Sequence, residues 1–108
     1  MKRGEVRWYT FNSPDKRRPV LILTRDSAIG YLNALTIAPI TTTVRNIPSE
    51  VFLSREDGLL TDCAANLDHI QTVPKAKFGS LITSLPSERM KEIEQAISFT
   101  LGFDSFLF

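Results

Sequence analysis

Apolar residues alternate with polar ones, or form short continuous runs, over most of the chain, which is the pattern of β-strands. The first such stretch, Gly4–Phe11, is rich in β-branched and aromatic residues, and its alternation predicts a strand with Val6, Trp8 and Thr10 on one face. The aliphatic run Val20–Leu23 follows. A run without alternation predicts a second strand that is buried on both faces.

Further short strands are predicted at hairpin-like spacing. The apolar stretch Ala34–Thr41 contains Pro39, which removes one ladder hydrogen bond and predicts an edge position or a bulge. A loop around Gly30 is predicted before this strand, and a turn at Gly58 after the stretch SEVFLS. The segments CAANLDHIQTV and FGSLIT complete the series. Many short strands with turns between them predict a small barrel or sandwich.

The periodicity becomes helical near the C-terminus. Apolar residues recur at helical spacing and predict an amphipathic helix; they are Met90, Ile93, Ile97 and Leu101. Pro86 and Ser87 suit its first turn, and Gly102 suits the position just past its end. The residues beyond are strongly apolar and include Phe103, Phe106, Leu107 and Phe108. We expect this tail to dock on the barrel or against a second subunit, because large apolar patches are rarely left exposed.

Charge is distributed unevenly along the chain. The length of 108 residues predicts one domain, 1–108, and the net charge is only +1. Residues 1–25, however, carry seven Lys and Arg side chains against Glu5 and Asp15, a net +5. Such a segment suits a phosphate-binding surface, and solvated charges on an exposed strand are the simpler alternative.

Composition argues against several classes of site. Cys63 is the only cysteine and His69 the only histidine, so neither an intrachain disulfide nor a cysteine-based metal cluster is expected. The acidic residues are scattered, and no cofactor is expected. The N-terminus lacks the apolar segment of a signal peptide, and the apolar runs are too short to cross a membrane. We therefore expect a cytoplasmic protein.

Five stretches of the sequence, taken in order, carry a family resemblance. They are MKRGEV, RRPVLILT, APITTTVRNIPSEV, GLLTDCAANLDHIQTVPK and ITSLPSERMKEIEQAISFTLGF, and they cover nearly the whole chain. The chain resembles the MazF/PemK family of toxin–antitoxin endoribonucleases, or mRNA interferases. The resemblance implies a mainly β fold, an SH3-like barrel with a C-terminal helix, that works as a homodimer. It also implies cleavage of single-stranded RNA at short sequences without metal or ribosome, and inhibition by a MazE-like acidic antitoxin.

The resemblance implies that Arg18 and Thr41 are the catalytic residues. The 2′-hydroxyl of the RNA would attack the adjacent phosphorus and leave a 2′,3′-cyclic phosphate and a 5′-hydroxyl. A planar guanidinium can donate to two phosphoryl oxygens at once, which suits the charge that develops there. Pro19 restricts Arg18 to extended conformations, and Thr41, two residues after Pro39, can donate its hydroxyl to the same group.

Six other residues are candidates for RNA binding: Lys16, Arg17, Thr42, Thr43, Arg45 and His69. His69, in the string DHIQT, stands where many relatives have glutamine, and Gln71 replaces their usual arginine. A histidine can transfer protons near neutral pH, but we expect His69 to contact RNA, because relatives cleave without it. The first loop, NSPDKRRP, is shorter than in many relatives, which leaves base selectivity open. Glu50 and Trp8 could serve binding, but they are interpreted as a surface acid and a core aromatic residue, and Cys63 is interpreted as a small buried residue.

Two other functions remain open. Toxins of the same fold poison DNA gyrase without nuclease activity, and the apolar tail FDSFLF is compatible with that class. A non-catalytic SH3-like module would bind RNA and leave it intact. Incubation with mixed RNA in EDTA distinguishes all three: discrete new 5′ ends support the nuclease, bound but intact RNA supports the module, and the absence of both outcomes supports the gyrase poison.

Overall fold

The computed structural model describes residues 1–12 and 16–104, and these form seven antiparallel strands and two α-helices. The strands are β1 (Glu5–Thr10), β2 (Arg17–Ile22), β3 (Ala34–Thr41), β4 (Glu50–Leu53), β5 (Cys63–Asn66), β6 (Gln71–Pro74) and β7 (Phe78–Ser84). The helices are α1 (Asp26–Ile29) and α2 (Ser87–Leu101). Single 3₁₀ turns occur at Arg55–Asp57, Leu67–His69 and Lys75–Lys77. The loop predicted around Gly30 thus begins with the short helix α1.

The strands form one continuous sheet. Its order is β4-β5-β3-β2-β1-β7, and β6 also pairs with β3. Within the described ranges, β4 and β7 each pair along one side, so the sheet stays open instead of closing into a complete barrel. The predicted mainly β fold with a C-terminal helix is confirmed.

Strand β3 lies in the interior of the sheet, and the strand that pairs with one of its sides changes at Pro39. One side of β3 pairs with β2. The other side pairs with β6 over residues 34–37 and with β5 at Ile40 and Thr41. Pro39 lies in the gap between these two ladders. The predicted edge position is therefore wrong, while the predicted interruption of a ladder is present.

Both faces of the central strands are buried. Leu21 belongs to an apolar cluster that includes Met90 and Ile93 of α2. Val20 and Ile22 belong to a second cluster, which also contains Tyr9, Ile29, Leu35, Ile37 and Val73. The prediction that β2 is buried on both faces is confirmed. Because side chains on both faces of β2 are packed, the strand is held firmly, and its exposed N-terminal end has a fixed position.

Along β1, the face predicted for Val6, Trp8 and Thr10 becomes less buried toward the C-terminal end of the strand. Its pairing with β7 shifts register on both sides of Arg7. Val6 and Tyr9 are buried, Trp8 is half-buried, and Thr10 is exposed. Trp8 lines a cavity with Ile40, Leu59 and Cys63, which belong to the same apolar cluster as Val6, but its ring is only partly covered there. The interpretation of Trp8 as a core residue is therefore wrong, since the indole borders the surface.

Helix α2 packs through part of its predicted apolar face. Met90, Ile93 and Ala96 are buried, whereas Leu101 is 55% exposed. Gly102 ends the helix with a φ of 76°, as predicted. Phe103 is 58% exposed and so does not dock on the sheet of its own chain, while its docking against a second subunit stays a prediction; the predicted docking of Phe106, Leu107 and Phe108 lies outside the described residues. None of the helices in the described ranges is long and apolar enough to span a membrane.

Candidate functional site

The pairing of β2 with β3 brings Arg18 and Thr41 together. Val20 lies opposite Pro39 at the end of this antiparallel ladder, and Arg18 and Thr41 each stand two residues beyond that pair. Both residues line a cavity of about 300 Å³, together with Pro19, Ile40, Thr42 and Thr43. Two residues that are 23 positions apart in sequence thus face one space because their strands are neighbours.

The local hydrogen bonds leave both side chains able to act as donors. The backbone N–H of Thr43 donates to Thr41 Oγ1 at 3.1 Å, which occupies an acceptor site of the hydroxyl and leaves its hydrogen available. Arg18 is exposed, and it forms no ion pair within the described parts of the chain. The cavity therefore presents a guanidinium and a hydroxyl that can both donate to an anion.

Arg18 also borders a second cavity on its other side. This cavity measures about 260 Å³ and is lined by Phe11, Lys16, Arg18, Pro39, His69 and Gln71. The N–H of Phe11 donates to the Lys16 carbonyl at 2.9 Å, which ties Lys16 to the end of β1. His69 ends a 3₁₀ turn and is exposed. The structure thus brings two predicted RNA-binding side chains, Lys16 and His69, next to Arg18.

Arg17 lies beside an aromatic ring. Its guanidinium carbon stands 4.4 Å from the centre of the Trp8 ring. A cation over the face of an indole is attracted by the negative face of the ring. Arg17 is thus engaged with Trp8, and Arg18 is the neighbouring cation that lines the cavity with Thr41.

Like Arg17, Arg45 is a predicted site residue that does not line the cavities that contain Arg18. It is exposed in the loop between β3 and β4. Its backbone N–H donates to Glu50 Oε1 at 2.9 Å. Glu50 is half-buried, and its Oε2 is buried without a hydrogen-bond partner among the described residues. The interpretation of Glu50 as a plain surface acid is therefore wrong.

A third cavity, missed by the sequence analysis, adjoins the first. It measures about 200 Å³ and is lined by Trp8, Pro19, Ile40, Thr41, Thr42, Leu59, Leu60, Thr61, Cys63 and Ile82. These residues come from separate segments, so no local pattern predicts it. Cys63 is buried, as expected. Burial, helped by the charges of Asp57 and Asp62, raises the pKa of its thiol.

The basic N-terminal segment does not form one continuous patch. Arg7 Nε lies 2.8 Å from Glu5 Oε1, and an Arg3 guanidinium nitrogen lies 3.6 Å from Glu94 Oε2. These two arginines are therefore compensated by carboxylates. Lys16 and Arg18 supply positive charge at the cavities. Across residues 1–12 and 16–104, no group of three or more His, Cys, Asp or Glu side chains is placed to hold a metal ion.

The chain matches a known family over most of its length. Residues 2–101 match the family described as PemK-like, MazF-like toxin of type II toxin-antitoxin system. The chain is 36% identical over 103 residues to a probable endoribonuclease MazF2 of Mycobacterium tuberculosis, covering 94% of this chain and 99% of that protein. It is 38% identical over 90 residues to endoribonuclease MazF3 of the same species, covering 83% and 87%.

Solved structures show the same similarity. The Mycobacterium tuberculosis toxin MazF-mt6 superposes with a TM-score of 0.83 at 34% identity, over 91% of this chain and 96% of that chain. An endoribonuclease in complex with its cognate antitoxin from a mycobacterial species gives a TM-score of 0.84 at 26% identity, over 94% and 95%.

Proposed function

Because the chain belongs to the MazF-type endoribonuclease family of toxin–antitoxin systems, we propose that it cuts single-stranded RNA at a specific short sequence, without a metal ion or a ribosome. The observation that carries this proposal is the placement of Arg18 and Thr41 on one cavity. Both side chains are hydrogen-bond donors, and both face a space that is open to a phosphate. A cytoplasmic site of action belongs to the same proposal.

The proposed reaction is a transesterification of the RNA backbone. The 2′-hydroxyl gives up its proton and its oxygen attacks the adjacent phosphorus, while the bond from phosphorus to the 5′-oxygen breaks and the leaving 5′-oxygen takes up a proton. The products are a 2′,3′-cyclic phosphate and a 5′-hydroxyl. Negative charge grows on the non-bridging oxygens, where Arg18 donates two N–H groups and Thr41 donates its hydroxyl. Donors that are already in place for developing charge supply a large part of catalysis in many enzymes.

The remaining candidates fit a path for RNA on both sides of the scissile phosphate. Lys16 and His69 line the cavity on one side, and Thr42 and Thr43 line the cavity on the other. We assign His69 to RNA contact rather than proton transfer. Arg17 adds positive charge nearby, and Arg45 is a more distant contact in the loop after β3.

The decisive experiment compares Arg18→Lys with Arg17→Lys. Lysine keeps the charge but loses the planar fork, so cleavage by the Arg18 variant should fall by roughly a hundredfold or more. RNA affinity should change little, because ionic binding is shared among many cations. Arg17→Lys should stay within a few-fold, since an exposed cation–π contact contributes only about 0.5–1 kcal/mol. Thr41→Ala should behave like the Arg18 variant.

Single-turnover cleavage of a short mapped RNA in EDTA measures the rate, and a 2′-deoxy version that cannot be cut measures affinity. Equal losses of cleavage rate in the two lysine variants would show that Arg17 and Arg18 act only as an electrostatic patch. RNA that is bound but intact would identify a non-catalytic module. A chain that neither binds nor cuts RNA would favour the gyrase-poisoning class.

Two partners follow from the same proposal. An endoribonuclease of similar structure is described in complex with its cognate antitoxin, and we extend this to a MazE-like acidic antitoxin whose disordered tail covers Lys16, Arg17 and Arg18. If an antitoxin without its tail inhibits cleavage as well as the full protein, this idea fails. We also propose a homodimer, since Phe99, Leu101 and Phe103 are each about half exposed and a second copy would cover them. A monomer mass by light scattering at micromolar concentration contradicts it.

A further inference from the structure

The third cavity, which we name the apolar slot, has a lining unlike that of its neighbours. Trp8, Pro19, Leu59 and Ile82 are among its walls, and its polar side-chain groups are threonine hydroxyls, the Cys63 thiol and the indole N–H of Trp8. No charged side chain among the described residues lines it. A phosphate or a charged side chain would lose its hydration there without gaining a partner of opposite charge. The slot therefore suits a flat, weakly polar group.

The slot adjoins the cavity of Arg18. They share four lining residues, which are Pro19, Ile40, Thr41 and Thr42. A phosphate held between Arg18 and Thr41 thus has the opening of the slot beside it. In a nucleic acid strand, each phosphate has a base nearby, and a base is a flat group with two weakly polar faces.

We propose that the apolar slot holds the base of one nucleotide that flanks the scissile phosphate, stacked against Trp8. This inference rests on the proposed nuclease function and identifies residues that determine specificity within the same site. Stacking on aromatic side chains tolerates different bases, because every base has a π-face. The slot therefore selects by size and stacking strength rather than by hydrogen bonds.

Contacts on two sides hold Trp8 in position for this role. Arg17 covers one face of the indole at 4.4 Å. Gly79 of β7 lies against the base of the side chain, where an added Cβ would stand 3.3 Å from Trp8 Cβ. Leu60 forms part of the outer wall and is 73% exposed. The ring is thus restrained on the protein side and accessible on the slot side.

The opposite flank of Arg18 has different chemistry. There the cavity contains Lys16, His69 and Gln71, which offer hydrogen-bond donors and acceptors. A site built from polar groups rejects a base that leaves those groups unpaired, whereas an apolar pocket discriminates only weakly. We therefore expect strict sequence preference on the polar flank and relaxed preference on the slot flank.

The experiment uses Trp8 itself as the probe, since it is the only tryptophan in the chain. The full chain is titrated with a mapped RNA that carries a 2′-deoxy residue at the cleavage position, and with versions that lack one flanking base in turn. Removal of one of the two flanking bases should abolish quenching of Trp8 fluorescence. The same removal in the cleavable RNA should lower the single-turnover rate about 5- to 150-fold, the range of one base stack.

Two exposed leucines supply matched variants. Leu60→Ala opens the slot, so removal of the flanking base should slow cleavage less in this variant than in the wild type. Leu81→Ala, on β7 outside the slot, should leave that fall in rate unchanged. If neither flanking base alters Trp8 fluorescence, or if both leucine variants behave like wild type, the slot does not hold a base. Quenching by an apolar protein segment instead of RNA would also overturn the proposal. Base-dependent quenching with no cleavage in EDTA would refute the nuclease and support the slot.

Discussion

Gly58 ends the turn after β4 in a conformation and a space that only glycine fits. Its φ is +95°, and an added Cβ would lie 2.3 Å from Thr83 Oγ1 and 2.6 Å from Thr83 Cβ. Gly58→Ala therefore incurs left-handed backbone strain of about 1–2 kcal/mol and overpacking against β7 of about 1–3 kcal/mol. We expect the free energy of unfolding to fall by about 2–5 kcal/mol from these two terms.

Two other glycines separate the two contributions. Gly102 also has a positive φ, 76°, but a Cβ there would meet no atom within 4 Å, so Gly102→Ala should lose only the backbone term of about 1–2 kcal/mol. Gly30 has a φ of −68° and open space around it, so Gly30→Ala should be stabilising by about 0.4–1 kcal/mol. Urea unfolding followed by Trp8 fluorescence measures all three, provided that the m-value is unchanged.

The contact with Thr83 can be tested by a double-mutant cycle. Thr83 Oγ1 donates to the Asp57 carbonyl at 2.9 Å, so Thr83→Ala alone should cost about 1 kcal/mol. In the Gly58→Ala background the same change removes the nearest clashing atom and should restore part of the lost stability. Equal destabilisation by Gly58→Ala and Gly102→Ala, with additive behaviour in the cycle, would refute the packing argument.

Two further changes test the packing elsewhere. Arg89 donates hydrogen bonds to the carboxylates of Asp57, in the turn after β4, and of Glu92, in its own helix. Arg89→Met should therefore lower the free energy of unfolding, measured in urea, by about 1–3 kcal/mol. Arg55→Met, at an exposed arginine, should change it by about 0.5 kcal/mol or less, and equal losses would contradict the role of these bonds. Burial raises the pKa of Tyr9 above its usual value of 10.0, and its hydroxyl donates to the Pro74 carbonyl at 3.0 Å. The unfolded state therefore loses this proton first as pH rises, and stability contributed by Tyr9 should decline above about pH 10. Tyr9→Phe should abolish that part of the decline, while Tyr31→Phe, at an exposed tyrosine, should not; identical pH profiles for both variants would contradict the assignment.

Local sequence determined the strands and the helix, because side-chain periodicity and backbone restriction act over a few residues. The aliphatic run of β2 predicted burial on both faces, and Gly102 marked the end of α2. Pro39 predicted an interrupted ladder, and β3 has one. The family resemblance named Arg18 and Thr41, and only the pairing of β2 with β3 makes them neighbours.

The tertiary structure decided the position of Trp8 and the existence of the apolar slot. The register of β1 against β7 shifts around Arg7, and this depends on how two strands that are distant in sequence pack together. Alternation predicted a buried Trp8, whereas the packing of distant segments leaves its ring half-buried beside Thr41 and Ile82. The pairing of charges also depends on tertiary structure, since Arg3 pairs with Glu94 of α2 only once the helix has docked. Sequence periodicity carries no information about such contacts, because they join segments whose separation along the chain is fixed only by folding.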